Sequence, residues 1–92
     1  MTTRKPYKVV VKKLGKDEQG YKLHGLAIYR HGRKPARIEI DETVVGQDKL
    51  ETLIHETVHL EAPYLEEEAV TDIGEAVAVQ LWAHGYRLTE VK

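Results

Sequence analysis

The rhythm of hydrophobic positions changes near the middle of this chain. Up to about residue 42 the apolar residues come in short, β-branched runs separated by turns that carry glycine or proline. Beyond residue 48 they recur every three or four positions. The first pattern predicts strands and the second predicts helices. Residues 7–14, 21–29 and 36–41 read as three strands; the last alternates cleanly, with Ile38 and Ile40 on one face. Short polar turns at 15–20 and 30–35 join them, and the simplest arrangement is a three-stranded antiparallel sheet spanning residues 7–42. Gly25 interrupts the second run and marks a candidate bulge.

Two helices follow. Asp48 is a plausible N-cap, with Glu51 three residues on completing a capping box. The helix it opens runs over 48–61 and is stopped by Pro63. Its apolar stripe is Leu50, Leu53, Ile54, Thr57 and Val58. A second helix is expected over 65–84, with Ala69, Val70, Ile73, Ala76, Val77 and Leu81 at helical spacing and Gly85 as C-cap. Gly74 inside it costs about 1 kcal/mol relative to alanine, a cost that a close helix contact can justify. The expected class is therefore α+β, with one domain over residues 1–92.

Composition narrows the function. With 92 residues there is room for one modest core, which a bound metal would help stabilise. Fourteen basic and 15 acidic residues give a net charge of −1, so composition argues against nucleic acid as the partner. Basic residues do cluster twice, at Arg4, Lys5, Lys8, Lys12 and Lys13 and again at Arg30, Arg33, Lys34 and Arg37. Solvated strand faces and turns are the simplest account of both clusters. The chain has no cysteine, no signal-peptide pattern and no run long enough to span a membrane, and a cytoplasmic location is expected.

The chemistry concentrates in His55-Glu56-Thr57-Val58-His59, an H-E-x-x-H pentad on the first helix. Histidines four apart stack on one helix face, where both imidazoles can hold one metal ion. Glu56 lies about a quarter-turn away, placed to act as general base on a water rather than as a ligand. Chance produces such a pentad in roughly 3% of shuffled chains of this composition. Two imidazoles leave a zinc site one protein ligand short. The acidic run Glu66-Glu67-Glu68 opens the next helix and offers the third. Glu68 is the expected ligand because it shares a face with Asp72, which could accept the second ring N–H of a metal-bound histidine. Glu67 and Glu75 are the alternatives.

Residues 53–59, the acidic stretch 65–70 and Leu81-Trp82-Ala83-His84-Gly85-Tyr86-Arg87 together resemble the minimal zincin domains of phages and prokaryotes. These are gluzincin-like peptidases, more distantly similar to SprT-like and ImmA/IrrE peptidases. The likeness covers the helical half strongly and the strand half in outline. It implies a zinc-dependent metallopeptidase with Zn2+ held by His55, His59 and a glutamate on the following helix, which Glu68 matches, with Asp72 four positions on. The connection from His59 to Glu68 is shorter than in full-size members, and no motif assigns the residue that stabilises the oxyanion. Tyr64, His84 and Tyr86 are the nearest candidates. The expected substrate is an extended peptide added to the sheet edge, with residues 38–41 as the edge. A catalytically silent, metal-stabilised binding or accessory domain is the rival reading, and a small nucleic-acid binder using the basic turns is a third.

Overall fold

The computed structural model describes residues 3–88, and its architecture is α+β. Three strands come first: β1 (Lys8–Lys12), β2 (Gly25–Ile28) and β3 (Arg37–Asp41). Two helices follow, α1 (Gly46–Glu61) and α2 (Glu67–Ala83).

The sheet is mixed, which corrects the expectation of an all-antiparallel one. Its order is β1-β3-β2; β3 pairs antiparallel with β2 and parallel with β1. The turn between β2 and β3 makes a hairpin, as expected. The segment between β1 and β2 does not. It spans residues 13–24, long enough to carry the chain past β3 to the far edge. Composition explains the order. β3 turns Ile38 and Ile40 toward α1, each only 1% exposed, and as the most buried strand it takes the centre. β1 carries lysine at both ends and sits at an edge, where cations deter pairing with other chains.

One face of the sheet packs on α1. Val9, Val11, Ile38, Ile40, Ala27 and Gly25 share that face by register. Ile38, Ile40 and Val44 form its core, against Tyr7, Leu53 and Leu60. The α2 helix contacts α1 and no strand. Its buried residues Val70, Gly74 and Ala78 repeat every four positions and make the contact face. A Cβ at Gly74 would lie 3.5 Å from His55 Cβ and 3.6 Å from the Glu51 carbonyl oxygen, so the helices meet closely there.

Both helix starts shift from expectation. α1 begins at Gly46, with Val45 as N-cap in extended geometry and no side-chain cap. Asp48 is thus inside the first turn, where its charge complements the helix dipole, and no capping box forms. α2 begins at Glu67 rather than 65, because Leu65 N–H closes a turn on Ala62 C=O at 3.0 Å. Its end is as expected: Gly85 has φ +87, Tyr86 N–H reaches Leu81 C=O and Gly85 N–H reaches Trp82 C=O, a Schellman motif.

Buried Asp41 ties the long 13–24 segment to the end of β3. Its carboxylate accepts hydrogen bonds from Leu14 N–H at 2.9 Å, Thr43 N–H at 3.1 Å and the Thr43 hydroxyl. The Leu14 bond, then those from Thr43, hold its pKa down from 3.8 to about 2. A depressed carboxyl pKa contributes stability that is present above the unfolded value and lost as pH falls through the folded one. Thermal unfolding monitored by circular dichroism is expected to show Tm falling between pH 4 and pH 2. Asp41→Asn should lower Tm at pH 7 and flatten that dependence. A variant as stable as wild type, with the same acid dependence, would remove Asp41 from this role.

Candidate metal centre

His55 and His59 lie one turn apart on the side of α1 that faces α2, and both are half-buried. Their Nε2 atoms are 3.1 Å apart. Glu67, the first residue of α2, reaches both: Oε1 is 2.8 Å from His55 Nε2 and Oε2 is 2.9 Å from His59 Nε2. These three residues form the metal-capable cluster among the described residues.

The donor set fits a cation. Zinc bonds of 2.0–2.1 Å in tetrahedral geometry place ligand atoms about 3.3 Å apart. The observed separations are a few tenths of an ångström tighter and open with small side-chain movements. The protonation logic agrees. Three atoms rich in lone pairs converge on one point, and the two Nε2 atoms can share a hydrogen bond only if one of them carries a proton. A metal ion satisfies all three at once.

The expected third ligand was Glu68, and the structure places Glu67 there instead. The reason is helical phase. The face of α2 turned toward α1 is set by Val70, Gly74 and Ala78. Residue 67 is one turn before Val70 on that face. Residues 68 and 72 are rotated about 100° from 67 and 71 and are exposed. Asp72 forms no hydrogen bond or ion pair with either histidine, so it does not orient them. Glu75 is likewise outside the cluster, although its charge is felt by Glu51. A reading of small residues as the close-packing stripe would have selected Glu67 from the sequence.

Glu56 points to the other side of the pair, toward β2. It is 8% exposed. Burial pushes its pKa up, with His55 and His59 opposing the shift and Glu67 adding to it. The backbone of β2 passes directly over it. A Cβ built at Gly25 would lie 2.5 Å from Thr52 Cγ2 and 3.0 Å from Glu56 Oε2. Gly25 is therefore a point of close approach at the start of β2, not a bulge, and any larger residue collides with the glutamate.

A cleft of about 350 Å³ opens above these groups. Its far wall is Lys22, Leu23, His24 and Gly25, and Glu51 continues the His55–His59 row on the near wall. Tyr64, His84 and Tyr86, expected as oxyanion donors, do not border it. Tyr64 is 83% exposed in the turn between the helices, and His84 and Tyr86 belong to the C-terminal cap of α2. Lys22 is engaged by Thr43 Oγ1 at 2.5 Å and lies 3.8 Å from Asp41. His24, which the sequence did not single out, borders the cleft just before β2.

No known protein family, curated protein or solved structure matches the chain. The functional reading therefore stands on the geometry of these residues. No helix among the described residues is long and apolar enough to cross a membrane.

Isothermal titration of the metal-free protein with zinc is expected to show one site. Glu67→Ala should weaken it by more than about 100-fold, beyond the 10–100-fold loss typical of an outer-shell partner. Glu68→Ala should bind as wild type does. The reverse ranking would return the ligand role to Glu68.

Proposed function

We propose that this protein is a zinc-dependent metallopeptidase, and that Glu56 is its general base. The observation that carries this reading is a buried carboxylate beside a convergent pair of imidazoles and a third carboxylate. A zinc ion held by His55, His59 and Glu67 would supply Lewis acidity toward a carbonyl oxygen and acidify water. The chain's own residues do the rest. Glu56, its pKa raised by burial, accepts a proton from water and returns it to the departing amine. Gly25 keeps that carboxylate in place by having no side chain.

Substrate binding follows from the sheet. The sequence pointed to residues 38–41 as the edge, but β3 is central and paired on both sides. β2 is the edge beside the cleft. Asp41 N–H donates to His24 C=O at 2.8 Å, and Gly25 pairs with Ile40. In an antiparallel ladder hydrogen-bonded and non-bonded pairs alternate, so the N–H and C=O of Gly25 and of Ala27 point outward. An extended peptide can add to them as a further strand, next to Glu56. A cysteine-free chain has no need of an oxidising compartment, which is consistent with the cytoplasm.

The rival reading is an accessory domain in which the metal is only a staple. It is favoured by one observation: α2 is held to the rest of the fold through α1 alone. Both readings expect chelation to lower Tm. They part on Glu56. On a library of unstructured peptides, Glu56→Gln should lose at least about 100-fold in kcat/KM while retaining one zinc. Gly25→Ala should show a similar loss with zinc retained, since a 1 Å misplacement can cost about that much. Thr52→Ser in the Gly25→Ala background removes the nearest clashing methyl and should recover part of the rate. Wild-type protein that holds zinc and cleaves nothing in the library favours the staple.

A further inference from the structure

Part of the first basic cluster meets the second at one end of the sheet, while Lys12, paired with Asp41, lies at the other end. Lys5 and Lys8 enter β1, Arg30 and Arg33 lie in the turn between β2 and β3, and together they line a groove of about 600 Å³. No acidic residue lines it; Pro6, Tyr7, Pro35 and Ala36 complete its walls. None of the four cations forms an ion pair among the described residues. Arg30 makes one hydrogen bond, a 3.5 Å contact from Nε to Gly32 C=O. Four like charges brought together without counter-charges repel one another. They are spared that repulsion when an anion sits among them.

The anion's class follows from the surroundings. A long phosphate polymer needs a continuous basic track. Here the basic groove is local, and the chain as a whole carries 15 acidic against 14 basic residues. The α2 side of the molecule, which contacts no strand, exposes Glu66, Glu68, Asp72 and Glu75. A short segment with several carboxylates meets the cations and avoids that side. The proline, tyrosine and alanine walls suit the stems of peptide side chains better than a bare phosphate backbone.

The arginine wall of the groove is reached from the cleft along β2, and Lys5 and Lys8 close the groove from across β3, at the β1 edge. β2 runs from Gly25, beside Glu56, to Ile28, and the basic turn follows directly. At about 3.3 Å per residue, Arg30 is roughly 17 Å along the strand from Gly25. A peptide added antiparallel to β2 sends its residues before the cut toward that turn. We propose that the Lys5–Lys8–Arg30–Arg33 groove docks an acidic segment of the substrate, lying about four to six residues on the amino side of the cleaved bond. The position relative to the cut rests on the metallopeptidase reading; the docking of an acidic segment does not.

The test uses the zinc-loaded Glu56→Gln protein and fluorescein-labelled twelve-residue peptides, read by fluorescence polarisation at low salt. One peptide carries four glutamates in its amino half, a second has glutamine in their place, and an oligothymidylate of equal charge is the third probe. The glutamate peptide should bind at least about tenfold more tightly than its glutamine counterpart, and the gap should narrow as salt rises. Adding Arg30→Gln and Arg33→Gln should abolish the gap, with Tm unchanged or raised because repulsion is relieved. With wild-type protein the same double substitution should raise KM for the glutamate peptide and leave kcat alone. Equal binding of the two peptides overturns the proposal, as does a gap that survives the double substitution. Tighter binding of the oligothymidylate also overturns it and assigns the groove to nucleic acid. If wild-type protein cleaves neither peptide but the gap behaves as described, the acidic docking surface stands and the metallopeptidase reading fails.

Discussion

The close contact between α1 and α2 at Gly74 sets the distance on which everything at the candidate metal centre depends. A Cβ built at 74 would lie 3.6 Å from both His55 Cα and the Glu51 carbonyl oxygen, so the helices leave room there for little more than a methyl group. One helix turn on, Val70 is fully buried on the same face. A carboxylate at residue 67 then arrives at both imidazoles without having to stretch. Alanine at 74 would still make ordinary contact, but a branched or longer side chain would force the helices apart and carry Glu67 away from both histidines. The same stripe that makes the packing possible therefore chooses the ligand. Packing and chemistry are one constraint here, since the residue that seats α2 and the residue that reaches the histidines share a helix face.

A second close approach acts on the other side of α1. β2 crosses at Gly25, and Thr52 and Glu56 fill the space a side chain would take. Thr52 is fixed in turn, because its hydroxyl donates to the Asp48 carbonyl at 2.8 Å and so turns its methyl to the strand. Tyr29, just past the end of β2, donates to the His59 carbonyl at 3.1 Å. Strand and helix are thus pinned together at Thr52 and at His59, about two helix turns apart, with Glu56 between them. The edge of the sheet and the metal-facing side of the helix are held in one frame, which is what an edge-bound peptide would need if its carbonyl is to meet the centre reproducibly.

How much of this is legible in the sequence depends on what kind of interaction decides each feature. The α+β class and the location of both helices follow from local periodicity, and the pairing of His55 with His59 follows from helix geometry. Each is settled within a few residues of chain. What the sequence hides is settled at long range. The central place of β3 depends on the long 13–24 segment passing it, tied down by Asp41 twenty-seven positions from Leu14. The choice of Glu67 over Glu68 turns on a phase of 100°, fixed by how α2 lies on α1. Asp48 makes the same point from the other direction: its type suits a cap, but the turn leaving β3 starts the helix two residues earlier, at Gly46. The two basic clusters look like unrelated solvated faces until the start of β1 and the hairpin turn are seen at the same end of the sheet.

A staple needs only the three convergent groups, and Glu56 is not one of them. Its carboxylate accepts no hydrogen bond among the described residues, and burial raises its pKa. Burial makes its ionised form costly, and an alanine or leucine there would pack against β2 without that cost. Other interior positions of this chain are treated differently. Asp41 is just as buried, and its carboxylate accepts three hydrogen bonds. Asp41 is tied into the fold by those bonds, and Glu56 makes none of that kind. Glu56 opens onto the cleft beside the imidazoles, and there a carboxylate with a raised pKa is suited to taking a proton. That burial cost favours the proposed catalytic role of Glu56 over simple stapling.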